Sequence, residues 1–548
     1  MDATTCSSFV MSPHLNTSGI SNLMKKYDQI IIGGGTNGLT AAAYLAKAGK
    51  RILVVEARDI VGGYCTTEEL VPSAPGFKFN PTSLDHVMLM VEPSVVTDLG
   101  LAQYGLRYLE VDPFYSYIRS DGFVLRFWRD HRKTVAEIAK FSPRDADAYD
   151  QMTRALGALW HVGFPYLMGH PTRPKVSSLL QCAKRAWDER SVLMQAVRMV
   201  MMSPLDIITQ KFESEEMRTA LAVFGASNCS PLDFPGTGII MAAMALQHRY
   251  GVYRAIGGGG EFPKALVELI LAYHGEVLTG SPVRQLIIEN SRVRGIQLSD
   301  GQEHFSEIII GAISPKLLFN SLVSPQHVPE KIREEISAIS VCGSNINSMT
   351  GGVAFARRPV WKADPSGTAE LLGSSILVGE DLPSICKWIS EAEAGRIGKN
   401  PPGWFITPSV QDRTLIPEGN EGDAMYVFLP AVSNQLTDGA HWENHKEDVF
   451  RSALDLLYSR VSELRQEEIG RFCVSPNELA NFSYQCHHPF HTDMSLSQMG
   501  PWRPTPSLSG YGTPIKGLFH AGAGAHPMGT VNGWSGRTVA KMVIAKSN

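Results

Sequence analysis

Cysteine is scarce in this chain of 548 residues, and what there is does not pair. The eight cysteines (Cys6, Cys65, Cys182, Cys229, Cys342, Cys386, Cys473 and Cys486) are scattered, with no CxxC or CxxxxC spacing. That argues against a structural zinc site and a redox-active disulfide, and it predicts free thiols in a reducing, cytoplasmic compartment. Long apolar runs are missing too. None approaches the ~18–20 residues that cross a bilayer, so no membrane span is expected. Nor is there an excess of one charge: 50 Lys and Arg against 54 Asp and Glu leave a net charge of -4. The chain therefore has no electrostatic footprint for nucleic acid. Residues 1–26 lack the apolar core of a signal peptide and the arginines of a transit peptide, and read as a disordered extension.

What is present begins at Gln29-Ile30-Ile31-Ile32, a short strand followed by Gly33-Gly34-Gly35-Thr36-Asn37-Gly38. The glycines at 33, 35 and 38 have the GxGxxG spacing of a dinucleotide-binding turn. The first makes the tight turn, the second lets backbone approach a pyrophosphate, and the third lets the helix pack on the sheet. The helix start offers unpaired N–H groups and partial positive charge to phosphates. Leu39, Ala42, Ala43 and Ala46 form its sheet-facing side, and Gly49 stands where a left-handed end residue is wanted. A second strand, Ile52 to Val55, ends on Glu56, placed to accept hydrogen bonds from the hydroxyls of an adenosine ribose. An acid there disfavours a ribose 2′-phosphate, which leaves NAD or FAD. Gly62 and Gly63 put more bare backbone beside the expected phosphates.

Further along, Asp85-His86 looks like a buried pair, and the stretch from Glu92 to Gln247 reads as mostly helical. Gly257 to Gly260 is not a second fingerprint, because no apolar strand precedes it. A hairpin is expected from Val293–Leu298 against Glu303–Ile310 across Asp300-Gly301. Strand-like runs at Ile346–Phe355, Leu371–Leu377, Trp404–Thr407 and Ala424–Leu429 suggest an antiparallel sheet, and Glu443–Glu463 one long helix. Near the end, Gly517 to Ala521 runs into Gly522-Ala523-Gly524-Ala525-His526-Pro527-Met528-Gly529 and a helix from about Asn532. This second strand, turn and helix suits a long ligand held by both ends of the chain.

These residues resemble the flavoprotein family of bacterial-type phytoene desaturases, most nearly the flavin-dependent β-carotene ketolases of cyanobacterial type. The likeness spans nearly all of residues 27–545. It rests on Gly33–Gly38, Ala57-Arg58-Asp59-Ile60-Val61-Gly62-Gly63, Asp85-His86, Gly257-Gly258, Pro408-Ser409, His491, Arg503-Pro504 and Gly522-Ala523-Gly524 with His526-Pro527. It implies an FAD cofactor and an α/β fold: a doubly wound Rossmann-like FAD-binding domain interrupted by an α+β substrate domain. The FAD domain would take residues 27–91, 250–315 and 505–548, and the substrate domain residues 92–249 and 316–504. The expected cofactor contacts are Gly33, Gly35, Thr36, Asn37, Gly38, Glu56, Ala57, Arg58, Gly62, Gly63, Gly522, Gly524 and Val531. Where the family tends to read His-Pro-Gly-Gly, this chain has Met528 in the run, with Asn532 and Trp534 beyond.

The expected activity is that of an FAD-dependent oxidoreductase acting on a hydrophobic, isoprenoid or carotenoid substrate by desaturation or ketolation. The catalytic candidates are His526, which either polarises the flavin or anchors its turn, and His86, which either faces substrate or is a satisfied buried group. His487, His488 and His491 are not expected to bind metal, since Pro489 breaks their spacing and no other ligand completes a tetrahedral set. Arg503 and Arg537 either contact cofactor phosphate or form surface ion pairs. Met194–Ile208 is either a core helix or a peripheral membrane contact through which an insoluble substrate enters. With one complete fingerprint and no disulfide, oxygen or a quinone is the expected electron acceptor. Rival readings are oxidation of an amine and a non-catalytic lipid-binding escort of the same fold.

Overall fold

The computed structural model describes residues 26–482 and 491–547. Residues 1–25 of the expected N-terminal extension lie outside the described residues, as do His487 and His488, while Lys26 bridges to Phe305.

The first strand, Gln29–Ile32 (β1), is wholly buried, as three consecutive isoleucines at the centre of a parallel sheet must be. On one side it pairs with Ile52–Val55 (β2), on the other with Ile309–Gly311. Glu276–Leu278 and Leu518–His520 add the two edges, also in parallel. The order is 518–520, 309–311, β1, β2, 276–278. The Rossmann-like α/β class read from the sequence is the class observed.

Between β1 and β2 runs the helix Thr36–Lys47 (α1), whose Leu39, Ala41, Ala42, Ala43, Leu45 and Ala46 are buried. Alanine suits it twice over, as the best helix former and as a side chain small enough for close helix approach. Gly49 follows with φ of +76° and turns the chain into β2. Two other helices, Glu261–Ala272 and Trp534–Ser547, pack against α1. The second crossing is close. A Cβ on Gly536 would run into the Asn37 carbonyl oxygen, and one on Gly533 would lie 2.5 Å from Thr40 Oγ1. The two ends of the chain thus meet over bare backbone.

The other half is built on a seven-stranded sheet in the order 468–474, 346–355, 423–433, 403–406, 375–378, 115–118, 124–127. All its pairings are antiparallel except that between 375–378 and 115–118. Helices Pro143–Leu167, Arg190–Met201, Pro204–Lys211, Glu215–Ala226 and Ala242–Tyr250 cover it and share its largest core.

Several local expectations are corrected. The stretch read as helical contains the strands 115–118 and 124–127, and a helix, Val176–Asp188, that the periodicity did not reveal. Met194–Ile208 is two helices, divided where Ser203 caps Pro204–Lys211 through a reciprocal box with Asp206. The expected strand 303–310 splits. Ser306 turns aside to bond the carbonyls of Asp28 and Ile308, leaving 303–305 in the hairpin and sending 309–311 into the parallel sheet. The long C-terminal helix is shorter than read, Lys446–Arg460.

Candidate active site

Every strand of the parallel sheet delivers the residues after its C-terminal end to one cleft, the place where open α/β sheets bind ligands. β1 contributes Gly33, Gly35, Thr36 and Asn37, and β2 contributes Glu56 and Ala57. Ser281, Ala312, Ile313 and Ala523 come from the ends of the other three. At Gly33 the chain takes φ of +100°, and a Cβ there would also press on Ile313 at 2.8 Å. Only glycine fits. Gly35 differs: its backbone is ordinary extended chain, and a Cβ would meet no protein atom within 4 Å. It borders empty space, with Gly62 bridged beside it and Gly63 close by. No side chain caps α1, and no acid lies in its first turn. Its N–H groups are left for an anion in the cleft.

Glu56 is 7% exposed, and its carboxylate is already oriented. One oxygen accepts the Gly34 N–H at 2.7 Å and the other the Arg58 N–H at 2.9 Å. Each keeps lone-pair capacity for a ribose hydroxyl. Bare backbone, an open helix start and a fixed acid fit a dinucleotide.

Gly62, Gly63 and Val531 also line the cleft, but four expected contacts do not. A Cβ on Gly38 would strike the Gly33 carbonyl, so its bareness serves helix packing. Gly522 and Gly524 face protein as well, with Cβ positions 2.5 Å from Ile313 O and 3.0 Å from Pro315 Cδ. Ala523 between them is what reaches the cleft. Arg58 stands behind the wall, pairing with Glu68 at 3.5 Å and donating to the carbonyl of Phe482 at 3.2 Å. Its guanidinium also lies 5.3 Å from the Phe482 ring centroid, so it positions a cleft-lining residue.

Neither catalytic candidate lines this cleft. His526 is fully buried, with its ring nitrogens 3.1 and 3.0 Å from the carbonyl oxygens of Gly500 and Leu167. Burial lowers it to about 4, so it is a neutral anchor for its turn. His86 is walled in by Tyr108, 2.9 Å away, and Cys65, 3.3 Å away, and burial brings it too to about 4. Asp85 is not its partner. It pairs with Arg254 at 2.7 Å. Arg503 and Arg537 are likewise structural. Arg503 is fully buried and donates to backbone carbonyls, including that of Ala523 at 2.8 Å. Arg537 pairs with Glu92 at 2.6 Å. Among the described residues no cluster of metal-ligating side chains occurs.

The sequence reading missed Tyr64, Cys65, Ser281, Phe482 and Thr530 as lining residues; His491, matched to the family and not expected to bind metal, lines the cleft as well. Cys65 is a buried thiol whose pKa burial raises, so it is no nucleophile. The position of Ser281 just past a parallel strand was the one signal available for it.

A second cavity, of about 460 Å³, lies under the helical layer. Trp160, Phe224, Trp404, Met494, Met499 and Met528 give it an apolar wall, and among the described residues no charged side chain or imidazole lines it. Two buried polar atoms of lining residues, Trp160 Nε1 and Gln247 Oε1, have no hydrogen-bond partner. Thr530 lines both this cavity and the dinucleotide cleft. The two spaces adjoin there.

Comparison with known proteins agrees with the first half of this picture. Residues 31–88 match the model of the NAD(P)-binding Rossmann-like domain. The chain is 28% identical to pyridine nucleotide-disulfide oxidoreductase domain-containing protein 2 of Mus musculus, covering 96% of this chain and 95% of that one. It is 23% identical to one of the limonene dehydrogenase chains of Castellaniella defragrans, over 95% of each sequence. To the neurosporene-forming phytoene desaturase of Rhodobacter capsulatus it is also 23% identical, over 94% and 93%. Among solved structures, putrescine oxidase superposes with a TM-score of 0.62 at 15% identity, covering 95% of this chain and 99% of that one. At that identity the likeness speaks for the fold alone.

Proposed function

We propose that this chain, an oxidoreductase of the FAD-dependent superfamily, removes hydride from a C–H bond of an apolar, isoprenoid-type substrate by desaturation or ketolation. One observation carries the reading: Thr530 belongs to both the dinucleotide cleft and an uncharged apolar cavity. A dinucleotide held in that cleft would have an oily chamber next to it at Thr530.

Bound FAD supplies a two-electron acceptor for hydride. The chain's own residues do the rest. Gly35 and the α1 N–H groups would hold the pyrophosphate, and Glu56 would hold the ribose. Trp160, Phe224 and Trp404 hold the substrate and exclude water. In desaturation two C–H bonds break and one C=C bond forms: hydride leaves one carbon and a proton the next. In ketolation water adds its oxygen to the carbon that lost hydride and releases a proton. A second hydride and proton then leave to give C=O, so ketolation takes two rounds of two-electron oxidation. Among the described residues the wall holds no charged group, so there the proton passes to water or a neutral side chain.

The same wall weighs against an amine. A protonated amine would be buried there without a carboxylate, at a cost of several kcal/mol that aromatic rings, worth about 2 kcal/mol, do not offset. The named relatives support a hydrocarbon, since two of them are a limonene dehydrogenase chain and a phytoene desaturase. Trp160 Nε1 and Gln247 Oε1 lack partners but are buried beneath the chamber surface, so a substrate oxygen reaches them only if the wall shifts.

Product analysis after expression in carotenoid-making cells tests the proposal. New desaturated or oxygenated pigment is the expected result, and unchanged pigment together with turnover of a small amine overturns it. The reading also assigns reoxidation to oxygen or a quinone, so anaerobic reoxidation by NADP alone would count against that part.

A further inference from the structure

Apolar side chains on a helix normally mark the face that packs. In Val176–Asp188 they mark the face that does not. Val176, Leu179, Leu180, Ala183 and Trp187 fall at i, i+3, i+4, i+7 and i+11, one stripe of the helix, and all five are exposed. Trp187 is 69% exposed and Val176 71%. No residue of this helix is buried. Its opposite side holds the protein: Arg185 donates to the His161 carbonyl at 2.7 Å, on the helix Pro143–Leu167. The next helix, Arg190–Met201, repeats the arrangement, burying Ala196, Met199 and Val200 while Met194, Val197 and Met201 stay exposed.

The stripes are set among cations. Between residues 173 and 201 stand Arg173, Lys175, Lys184, Arg185, Arg190 and Arg198 against Asp188 and Glu189. Six minus two leaves +4 on this hairpin, in a chain whose net charge is -4. An apolar stripe rimmed by Lys and Arg, with a tryptophan at its end, is the composition that lies in the interface of an anionic bilayer.

We propose that the outward face of the helical hairpin 176–201 docks on an anionic membrane surface, with the exposed stripe inserted among the acyl chains and the basic residues at the headgroups. The same hairpin packs on Pro143–Leu167, whose Leu156, Leu159, Trp160 and Tyr166 line the apolar cavity. The docked face therefore backs the wall of the chamber that takes the oily substrate.

Co-sedimentation of the full chain with vesicles tests this. Phosphatidylcholine vesicles containing phosphatidylglycerol are expected to carry the protein down, and phosphatidylcholine alone to carry little. Leu180→Glu and Trp187→Glu should each weaken binding about tenfold, the loss of one inserted apolar side chain. Lys184→Glu should weaken binding to the anionic vesicles only. These side chains are exposed, so the variants are expected to keep the melting temperature of the parent, which is measured alongside. Equal sedimentation of parent and Trp187→Glu would overturn the proposal. So would a parent that stays in the supernatant with both vesicles, or a concentration-dependent dimer abolished by Leu180→Glu, which would assign the face to a second copy of the chain.

Discussion

Gly35 and Gly38 differ by three positions and by what surrounds them. A Cβ on Gly38 meets the Gly33 carbonyl, while a Cβ on Gly35 meets only the cleft. Gly35→Val is therefore expected to fold with a melting temperature close to the parent and to lose cofactor affinity by roughly tenfold to a hundredfold, the range of overpacking costs. Titration of the cofactor followed by fluorescence checks the second part. A Gly35→Val protein that binds as tightly as its parent would remove the cleft from consideration. In the chamber, Trp160→Phe keeps the apolar wall and deletes a donor that has no partner. If a substrate oxygen uses that donor, turnover of the oxygenated substrate falls about tenfold relative to the hydrocarbon. An unchanged ratio assigns the donor no role.

At the scale of elements, the crossing of α1 by the helix Trp534–Ser547 reverses an ordinary expectation. Glycine to alanine inside a helix normally stabilises by up to ~1 kcal/mol. At Gly536 the new methyl would run into the Asn37 carbonyl and lie 3.0 Å from the Ala41 N–H. Gly536→Ala should instead destabilise by about 1–3 kcal/mol, read as a lower urea midpoint. Asn37 lines the cleft, so cofactor affinity should drop with it. A stabilised variant would mean the two helices have room to spare. The glycines at 257–260 show the same use of bare backbone without a ligand. Gly259 and Gly260 donate to Asn80 Oδ1 and Thr67 Oγ1 at 2.7 and 2.9 Å, and Gly257 donates to Asp412 at 2.6 Å. They join three parts of the protein to one another.

Across the whole molecule, burial holds His86, His248, His520 and His526 at about 4. Their unfolded value is near 6.5, so between those limits the unfolded chain binds more protons than the native one. Stability is fully present above about pH 6.5 and is lost as pH falls toward 4, by up to about 1.4 kcal/mol per histidine per pH unit. Urea midpoints measured across that interval check the sign, and a flat profile would mean these rings are charged in the folded protein. The parallel sheet gives a second expectation. Its edge strand Leu518–His520 and the helix Trp534–Ser547 that packs on α1 both lie beyond residue 504, so a chain ending there should neither bind the dinucleotide nor unfold cooperatively.

The sequence by itself determined the dinucleotide half as far as chemistry is local. The turn at 33–38, the acid closing β2 and the reach of the fingerprint were legible because each depends on residues within thirty positions of one another. The resemblance named Gly38, Gly522 and Gly524 as cofactor contacts, but a Cβ on them would meet the Gly33 carbonyl, the Ile313 carbonyl and the Pro315 ring, so their bareness serves packing. Only the tertiary structure decided the rest. The union of five strand ends into one cleft and the chamber met at Thr530 are set by contacts between residues hundreds of positions apart. The neighbours of His86 and the outward turn of the 176–188 stripe depend on which elements pack beside them. Periodicity says that a helix has an apolar face, but what lies opposite that face is a property of the packed chain.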